Sequence, residues 1–496
     1  MPGKTSFATF YRSTLSGARP ASSPRPARQT STTPTAGESI HKPDDNCESS
    51  NRADGSGDGD SPDPSDSRDP SDSPDPSDSH AERGVAILAA VWFFFVLLSY
   101  SVVRPVRETM GAIGGTKQLQ GLMLVTFVAM LVAVPIYAVL VNRLPRRWLV
   151  RVVFHFFSLS LLAFCASLSF GDELVRVWAA RIFFIWVNVF GLFVTSVFWS
   201  VLADLFSSEQ GKRLFGRIAA GGTVGAVTGS LLTSQVATEL STAGLLLIPM
   251  ATLQAGLWFA WRLERRVAKE PSFAPKGIPH DGDRPPAVGG LWEGVTHVVQ
   301  SSYLASICVY LFFVQAAGTQ LYFQQAEIVG ANVPDDQSKT QLFAYIDFGT
   351  QTLTLTAQLL LSGWILRRLG VAISLVILPL VYLISFSVLS TYGSLAVVAT
   401  AMVATRAAAY GITVPAREVL FTVVSRRDKY KSKNFIDTVV LRGGDALSSQ
   451  VLGSLRNLAG FGFATLNLCS LPLIALWAFA ALRLGRRQQQ LAERKT

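Results

Sequence analysis

The sequence predicts an all-α membrane protein in which about twelve transmembrane helices form two six-helix bundles. Of the 496 residues, 49% are hydrophobic and 16% are charged, and the mean hydropathy is +0.33. This composition is too apolar for an ordinary soluble protein of this length. Apolar runs of about 20 residues, the length that crosses a bilayer, recur from Gly84 to Leu482 with short polar gaps. One longer polar stretch divides these runs into two equal sets.

The bounds of the individual elements follow from the positions of these runs. The predicted spans are 84–103, 119–141, 148–170, 176–203, 214–236, 242–262, 299–325, 340–366, 371–391, 394–421, 435–457 and 462–482. They place an N-terminal bundle at residues 81–262, a cytoplasmic linker at 263–298, a C-terminal bundle at 299–484 and a cytoplasmic tail at 485–496.

The first 80 residues are predicted to be a disordered, low-complexity cytoplasmic tail. They are rich in Ser, Pro, Asp, Gly and Thr, and Asp63–Ser79 repeats the unit DPSDS. Such a segment buries too little apolar surface to offset the entropy of ordering. Residues 1–37 are basic and free of acids, which is typical of an organelle transit peptide. The alternative is a low-complexity bacterial extension, which the acidic repeat favours.

Lys and Arg are distributed unevenly between alternate loops, and this predicts the orientation in the membrane. One set of loops carries most of them: Arg143, Arg146, Arg147, Arg151, Lys212, Arg213, the stretch 262–284, Arg367, Arg368, Arg426, Arg427, Lys429, Lys431, Lys433, Arg483, Arg486 and Arg487. The other set has little beyond Lys117, Arg176, Lys339 and Arg456. The positive-inside rule places the first set, and both termini, in the cytoplasm. The net charge of +10 therefore reflects topology and gives no indication of a nucleic-acid partner. We expect a bacterial plasma membrane, with an organelle envelope as the alternative.

Two short patterns indicate parallel repeats. KRLFGRIAAGG (Lys212–Gly222), after the fourth span, corresponds to KNFIDTVVLRGG (Lys433–Gly444), after the tenth. Parallel six-helix repeats are the plan of the major facilitator fold. The loop sequence NRLPRR (Asn142–Arg147) resembles the loop motif of that superfamily, although Pro145 stands where the motif usually has Gly.

These patterns suggest residues with a structural or gating role. The candidates are Asn142, Arg143, Arg146, Asp204, Gly221 and Gly225. For the basic residues, the alternative is topological charge alone. For Asp204 the alternative is an ion pair or snorkelling at a helix end, and the glycines predict close packing of two helices.

Ionisable residues within apolar spans are costly, so each needs a partner or a polar cavity. Asp347, Arg406 and Arg442 fall deep in their spans and are candidates for substrate binding. Guanidinium groups suit phosphate or carboxylate ligands. Gln320 belongs to a polar stripe on the seventh span, which predicts either a cavity wall or hydrogen bonds between helices.

The sequence contains no motif that is typical of an enzyme. It has no phosphate-binding loop, no GxSxG elbow and no HExxH. Its four cysteines are scattered singly, without a CxxC pair. We therefore expect no catalytic residues, no cofactor and no metal.

Three segments together resemble the ATP:ADP antiporter family, in its bacterial ATP/ADP-translocase-like branch of the major facilitator superfamily. They are Leu98–Gly111, Phe198–Gly222 and Arg417–Asp445. The resemblance implies that Arg107 and Arg442 handle nucleotide phosphates. It also places the neutral Asn188 and Gln320 at or near two positions that are acidic in the family, a departure that favours anion handling over adenylate exchange itself.

The leading hypothesis is a monomeric secondary transporter that moves an anionic metabolite by alternating access, with ATP/ADP exchange implied by the resemblance. Arg107 and Arg442 would face each other across the two halves, and Gly443–Gly444 would loosen the helix beside Arg442. An Arg442–Asp445 ion pair that only supports the fold is the alternative. Two other functions remain open: a proton-coupled facilitator with Asp347 as the protonatable group, and a transport-inactive scaffold that uses the acidic tail. The expected partners are the small anionic substrate and the lipid bilayer.

Overall fold

The structure is a computed structural model, and it describes residues 76–206, 208–269, 301–424, 432 and 435–494. Most of the predicted N-terminal tail and of the predicted linker lies outside these residues. Within them, every regular element is helical, and we number twelve helices in chain order. The all-α class predicted from the sequence is therefore confirmed.

The first half contains six helices. They are α1 (Pro76–Ile113), α2 (Gly115–Arg143), α3 (Arg146–Phe170), α4 (Glu173–Leu205), α5 (Ser208–Val236) and α6, which consists of Thr242–Leu245 and Leu247–Val267. We call the end of the bundle near the N-terminus of α1 the proximal end, and the end near Ile113 the distal end.

The second half contains six further helices, three of which include a π-helical segment. They are α7 (Ser302–Asn332); α8 (Asp336–Thr356, π-helical Ala357–Ser362 and Gly363–Arg368); α9 (Gly370–Thr391); α10 (Leu395–Ala408, π-helical Ala409–Thr413 and Val414–Leu420); α11 (π-helical Ile436–Val440 and Leu441–Asn457); and α12 (Phe463–Glu493). π-helical segments are rare and often lie at functional sites.

Nine of the described helices are long and apolar enough to cross a membrane. The three that fall short are α5, α8 and α11. All three contact the other half, since α5 packs against α8, and α11 packs against α2. Helices α1, α2 and α7 also contribute to the contact between the halves. Their polar residues lie at helix contacts, so hydropathy understates their role in the bundle.

Each half has its own apolar core. One core is built from residues between Val85 and Val267, and the other mainly from residues between Tyr303 and Leu484. Ala112, Leu119 and Phe184 of the first half join the second core. The apolar contact between the halves therefore involves the distal part of the first half.

Helix α1 is longer than predicted. The predicted span ended at residue 103, because the hydropathy falls at Arg104, but the helix continues through Pro105 to Ile113. It can continue because its charged side chains find partners inside the protein. This correction places Arg104, Arg107 and Glu108 within a helix.

The glycines of α5 allow the helix to lie directly against α1. A Cβ atom at Gly221 would lie 2.6 Å from the carbonyl oxygen of Ala90, and one at Gly225 would overlap the carbonyl oxygen of Phe94. A side chain therefore cannot be added at either position without moving a helix backbone. This geometry supports the packing interpretation of the stripe.

Hydrogen bonds between described residues join the halves at the distal end. Gln120 Nε2 of α2 donates to Gln450 Oε1 of α11 at 3.0 Å, and Thr116 Oγ1 donates to Asn457 Oδ1 at 3.4 Å. On the other side of the bundle, Gln341 Nε2 of α8 donates to the carbonyl oxygen of Ser234 at 2.9 Å. The two halves are thus closed against each other at this end.

Candidate substrate-binding site

Five buried ionic groups from three helices meet near the middle of the bundle. Helix α1 supplies Arg104, Arg107 and Glu108, helix α8 supplies Asp347 and helix α10 supplies Arg406. Their exposed fractions lie between 2% and 7%. We call these five residues the ion-pair cluster. The spacing of Arg104, Arg107 and Glu108 places all three on one side of α1.

Two ion pairs of the cluster connect the halves, and their polarities are opposite. Arg104 Nε of the first half lies 3.4 Å from Asp347 Oδ2 of the second. Arg406 Nη2 of the second half lies 3.9 Å from Glu108 Oε1 of the first. Each half therefore presents one guanidinium and one carboxylate to the other. This reciprocal arrangement holds the halves together.

Two further ion pairs do not cross between the halves, and each half contains one of them. Arg406 Nη1 donates to Asp347 Oδ1 at 3.0 Å, and Arg107 Nη2 donates to Glu108 Oε1 at 2.5 Å. Asp347 and Arg406 were separate candidates in the sequence, and the structure shows that they form an ion pair with each other. Asp347 therefore has two guanidinium partners, Arg104 and Arg406.

Arg107 is anchored on α4 as well. Its Nη1 donates to Asn188 Oδ1 at 3.1 Å, and its guanidinium carbon lies 5.5 Å from the centre of the Phe184 ring. Asn188 Nδ2 in turn donates to the carbonyl oxygen of Phe184 at 2.9 Å. Asn188 therefore links Arg107 of α1 to α4 through its side-chain amide.

Arg442 has a different environment from the arginines of the cluster. It is 6% exposed, and among the described residues it donates no hydrogen bond and has no carboxylate within 4.0 Å. Beyond contact distance it interacts electrostatically with Asp445 most strongly, then with Tyr100 and Arg107 of α1, and with Asp437. The expectation that Arg107 and Arg442 approach each other across the halves agrees with this placement.

Asp445 is held by α7 and forms no close ion pair with Arg442. Its Oδ1 accepts hydrogen bonds from Gln315 Nε2 at 2.8 Å and from Thr319 Oγ1 at 3.3 Å. Asp445 still interacts electrostatically with Arg442 beyond contact distance, so the alternative in which this pair serves only the fold stays a prediction.

Helix α11 differs from the expectation near Arg442. The α-helix runs unbroken from Leu441 to Asn457 through both glycines, and the irregular π-helical segment Ile436–Val440 precedes them. The expectation that Gly443–Gly444 loosens the helix is wrong, because both glycines keep helical geometry. The distortion lies one turn before Arg442.

Gln320 lies in a separate amide network between α7 and α12. Its Nε2 donates to Asn467 Oδ1 at 2.9 Å, and its Oε1 accepts from Ser470 Oγ at 2.8 Å. Asn467 Nδ2 also donates to Gln324 Oε1 at 3.2 Å. All these contacts lie within the second half, and they match the interhelical hydrogen-bond interpretation of the stripe. The role of Gln320 in substrate binding stays a prediction.

The gating candidates lie at the proximal end. Asn142 and Arg143 end α2, Arg146 begins α3, and Asp204 lies in the last turn of α4. Asp204 is exposed and interacts electrostatically with Arg146. The structure therefore brings two of the four candidates together, and their gating role stays a prediction.

Neither Arg104 nor Glu108 was assigned to the site from the sequence. Glu108 follows Arg104 by four positions and Arg107 by one, so the three side chains share one side of a helix. This spacing was the available signal. It was missed because the predicted span ended before Arg104.

Two bundles of six helices, with buried arginines and carboxylates between them, define a membrane transporter of the alternating-access class. The sequence profile of the Major Facilitator Superfamily matches residues 87–432, and the chain belongs to this family. It is therefore a secondary transporter and not an enzyme, which confirms both predictions.

Solved structures of transporters show the same fold at low sequence identity. A bacterial homologue of the iron transporter ferroportin in an inward-facing state has a TM-score of 0.59 and 13% identity, covering 82% of this chain and 99% of that one. A POT family transporter in complex with 5-aminolevulinic acid has a TM-score of 0.56 and 11% identity, covering 82% and 96%. The nucleoside transporter NupG has a TM-score of 0.52 and 15% identity, covering 82% and 98%. No curated protein sequence matches the chain significantly.

Proposed function

We propose that the chain transports an anionic metabolite by alternating access, and that Arg442 binds the anionic group. The observation that carries this proposal is the environment of Arg442. It is a nearly buried guanidinium that has neither a hydrogen-bond acceptor nor a carboxylate within 4.0 Å among the described residues. Burying a charge without a partner is costly, so a position of this kind favours a ligand of opposite charge.

The neighbours of Arg442 support the same proposal. Asp445 Oδ1 accepts hydrogen bonds from Gln315 and Thr319, and this carboxylate acts on Arg442 only from beyond contact distance. Arg107 lies within electrostatic range of Arg442, so two positive charges from different halves act on the same region. A phosphate or a carboxylate can accept bidentate hydrogen bonds from a guanidinium group. ATP and ADP, which the family resemblance implies, are members of this class of ligand.

The orientation is part of the proposal. The basic loop residues, including Arg143, Arg146 and Arg368, lie at the proximal end. The positive-inside rule then places the proximal end and both termini in the cytoplasm of a bacterial cell. The closed distal end would face outward, so the substrate would reach Arg442 from the cytoplasmic side. We propose that the protein acts as a monomer in the plasma membrane.

The geometry gives less support to proton coupling through Asp347. It contacts one guanidinium group from each half, which is the arrangement of a structural ion pair. Asp347 therefore serves to join the halves in this account.

A ligand screen on the purified protein tests the proposal. ATP, ADP, inorganic phosphate and carboxylic acids are added in turn, and the midpoint of thermal unfolding is measured, because a ligand that binds the folded state raises it. We expect at least one anion to raise the midpoint of the wild type, and Arg442→Gln to abolish the rise. Arg442→Lys keeps the charge but loses the bidentate geometry, so we expect a smaller rise.

Arg456→Gln is the matched control for this screen. Arg456 pairs with Glu327 near the distal end and lies outside the ion-pair cluster. We expect this variant to respond to the ligand as the wild type does. The proposal fails when no anion raises the midpoint, or when Arg442→Gln responds as strongly as the wild type.

A further inference from the structure

The ion-pair cluster carries an excess of positive charge. The network contains the guanidinium groups of Arg104, Arg107 and Arg406 and the carboxylates of Glu108 and Asp347. One positive charge therefore remains after each carboxylate is matched with one guanidinium. All five side chains are buried, and burial without compensation is costly for a charged group.

The arginines are also close enough to repel one another. Arg406 interacts electrostatically with Arg104 and Arg107, which come from the other half. The reciprocal ion pairs therefore hold the halves together against a like-charge repulsion. An additional negative charge between the two halves would reduce this repulsion and strengthen the closed arrangement.

Hydrogen-bond donors for such a charge are present. Within the part of the chain that the structure describes, Arg104 Nη2, Arg406 Nε and Arg406 Nη2 are buried and have no hydrogen-bond acceptor, and the carboxylate oxygens Glu108 Oε2 and Asp347 Oδ2 are buried without a hydrogen-bond donor. These donors come from both halves.

We propose that the ion-pair cluster binds one small inorganic anion, such as chloride, between Arg104 of the first half and Arg406 of the second. The anion neutralises the excess charge, accepts hydrogen bonds from the free guanidinium N–H groups and stabilises the closed distal end. This site is separate from Arg442, and it does not depend on the identity of the transported metabolite. An anionic group of the metabolite offers the same chemistry, so the experiment must distinguish the two sources.

Chloride dependence of the thermal unfolding midpoint tests this inference. Purified protein without metabolite is measured in sodium chloride and in sodium gluconate at equal ionic strength, and the chloride increment is the difference between the two midpoints. We expect a positive increment for the wild type. Arg406→Gln makes the cluster neutral, so we expect its increment to be lost.

The opposite charge change gives an opposite result. Asp347→Asn raises the excess charge, so we expect its chloride increment to be at least as large as that of the wild type. Arg456→Gln removes a guanidinium outside the cluster, and its increment is expected to match the wild type. If Arg406→Gln does not fold, Arg104→Gln makes the same charge change on the other half.

Three outcomes would overturn the proposal. They are a wild type without a chloride increment, an increment of equal size in every variant, and a cluster-dependent increment that appears with phosphate or ATP but not with chloride. The last outcome would assign the cluster to an anionic group of the metabolite. Because the measurement needs no transport, a failure of the Arg442 assignment would leave it interpretable.

Discussion

The substitution Asp347→Asn tests whether the reciprocal ion pairs hold the distal end closed. Asp347 is the carboxylate that contacts guanidinium groups of both halves, Arg104 at 3.4 Å and Arg406 at 3.0 Å. The substitution removes the charge and nearly preserves the shape. It leaves two buried guanidinium groups without this carboxylate and strengthens the repulsion between the halves.

The size of the effect follows from the burial and the geometry. Breaking a buried ion pair typically costs about 3–5 kcal/mol. The contact with Arg406 lies within one half and persists when the halves separate, so only the Arg104 share changes with conformation. Assigning about 2 kcal/mol to this share predicts that the ratio of distal-closed to distal-open protein falls about 30-fold.

A distance measurement across the distal end provides the assay. Spin labels replace Thr116 and Asn457, which lie on different halves and contact each other in the closed state, in a background without native cysteines. We expect a single short distance for the parent protein and an added longer component for Asp347→Asn. Asp336→Asn is the control, because Asp336 pairs with Lys339 on the same helix and in the same half. An unchanged distance in Asp347→Asn, or an equal change in Asp336→Asn, would refute the assignment.

Three further predictions concern stability, each measured as the free energy of unfolding in a detergent titration. Gly225→Ala places a Cβ against the α1 backbone and is expected to destabilise the protein by about 1–3 kcal/mol. A Cβ at Gly216 would meet no neighbouring atom within 4 Å, so Gly216→Ala is expected to stabilise the protein by up to about 1 kcal/mol. Equal effects would contradict the packing argument. Asn467→Leu leaves the amide of Gln320 without its acceptor and is expected to cost about 1–3 kcal/mol; a neutral result would show that the amide network is dispensable. Arg456→Gln removes a partly exposed ion pair and is expected to cost less than about 1 kcal/mol. A larger loss would show that this ion pair contributes substantially to the stability of the fold.

Within the described residues, the sequence predicted the order of the helices well, because long apolar runs and loop charges report the membrane directly. It predicted the length of α1 poorly. Hydropathy falls at Arg104, although the helix continues to Ile113 because its charges are satisfied by other helices. A hydropathy profile cannot register partners that are distant in sequence.

The sequence identified several residues of the site but not the contacts between them. Asp347, Arg406 and Arg442 were all identified as buried ionisable residues, because charge within an apolar span is itself informative. Their pairing was not predictable, since helical periodicity defines a face but not the helix that it contacts. The structure pairs Asp347 with Arg406 and leaves Arg442 apart. Gln320 shows the same limitation, because its amide faces α12.

The most direct test of the central claim is uptake by proteoliposomes that contain the purified protein. Labelled ATP, ADP, inorganic phosphate and a dicarboxylate are supplied in turn, with the neutral nucleoside uridine for comparison, to wild type, Arg442→Gln and Arg456→Gln. The account predicts that at least one of the anions accumulates through the wild type and through Arg456→Gln, that Arg442→Gln abolishes this uptake, and that uridine does not accumulate. Uptake of uridine alone, or equal anion uptake by wild type and Arg442→Gln, would contradict it.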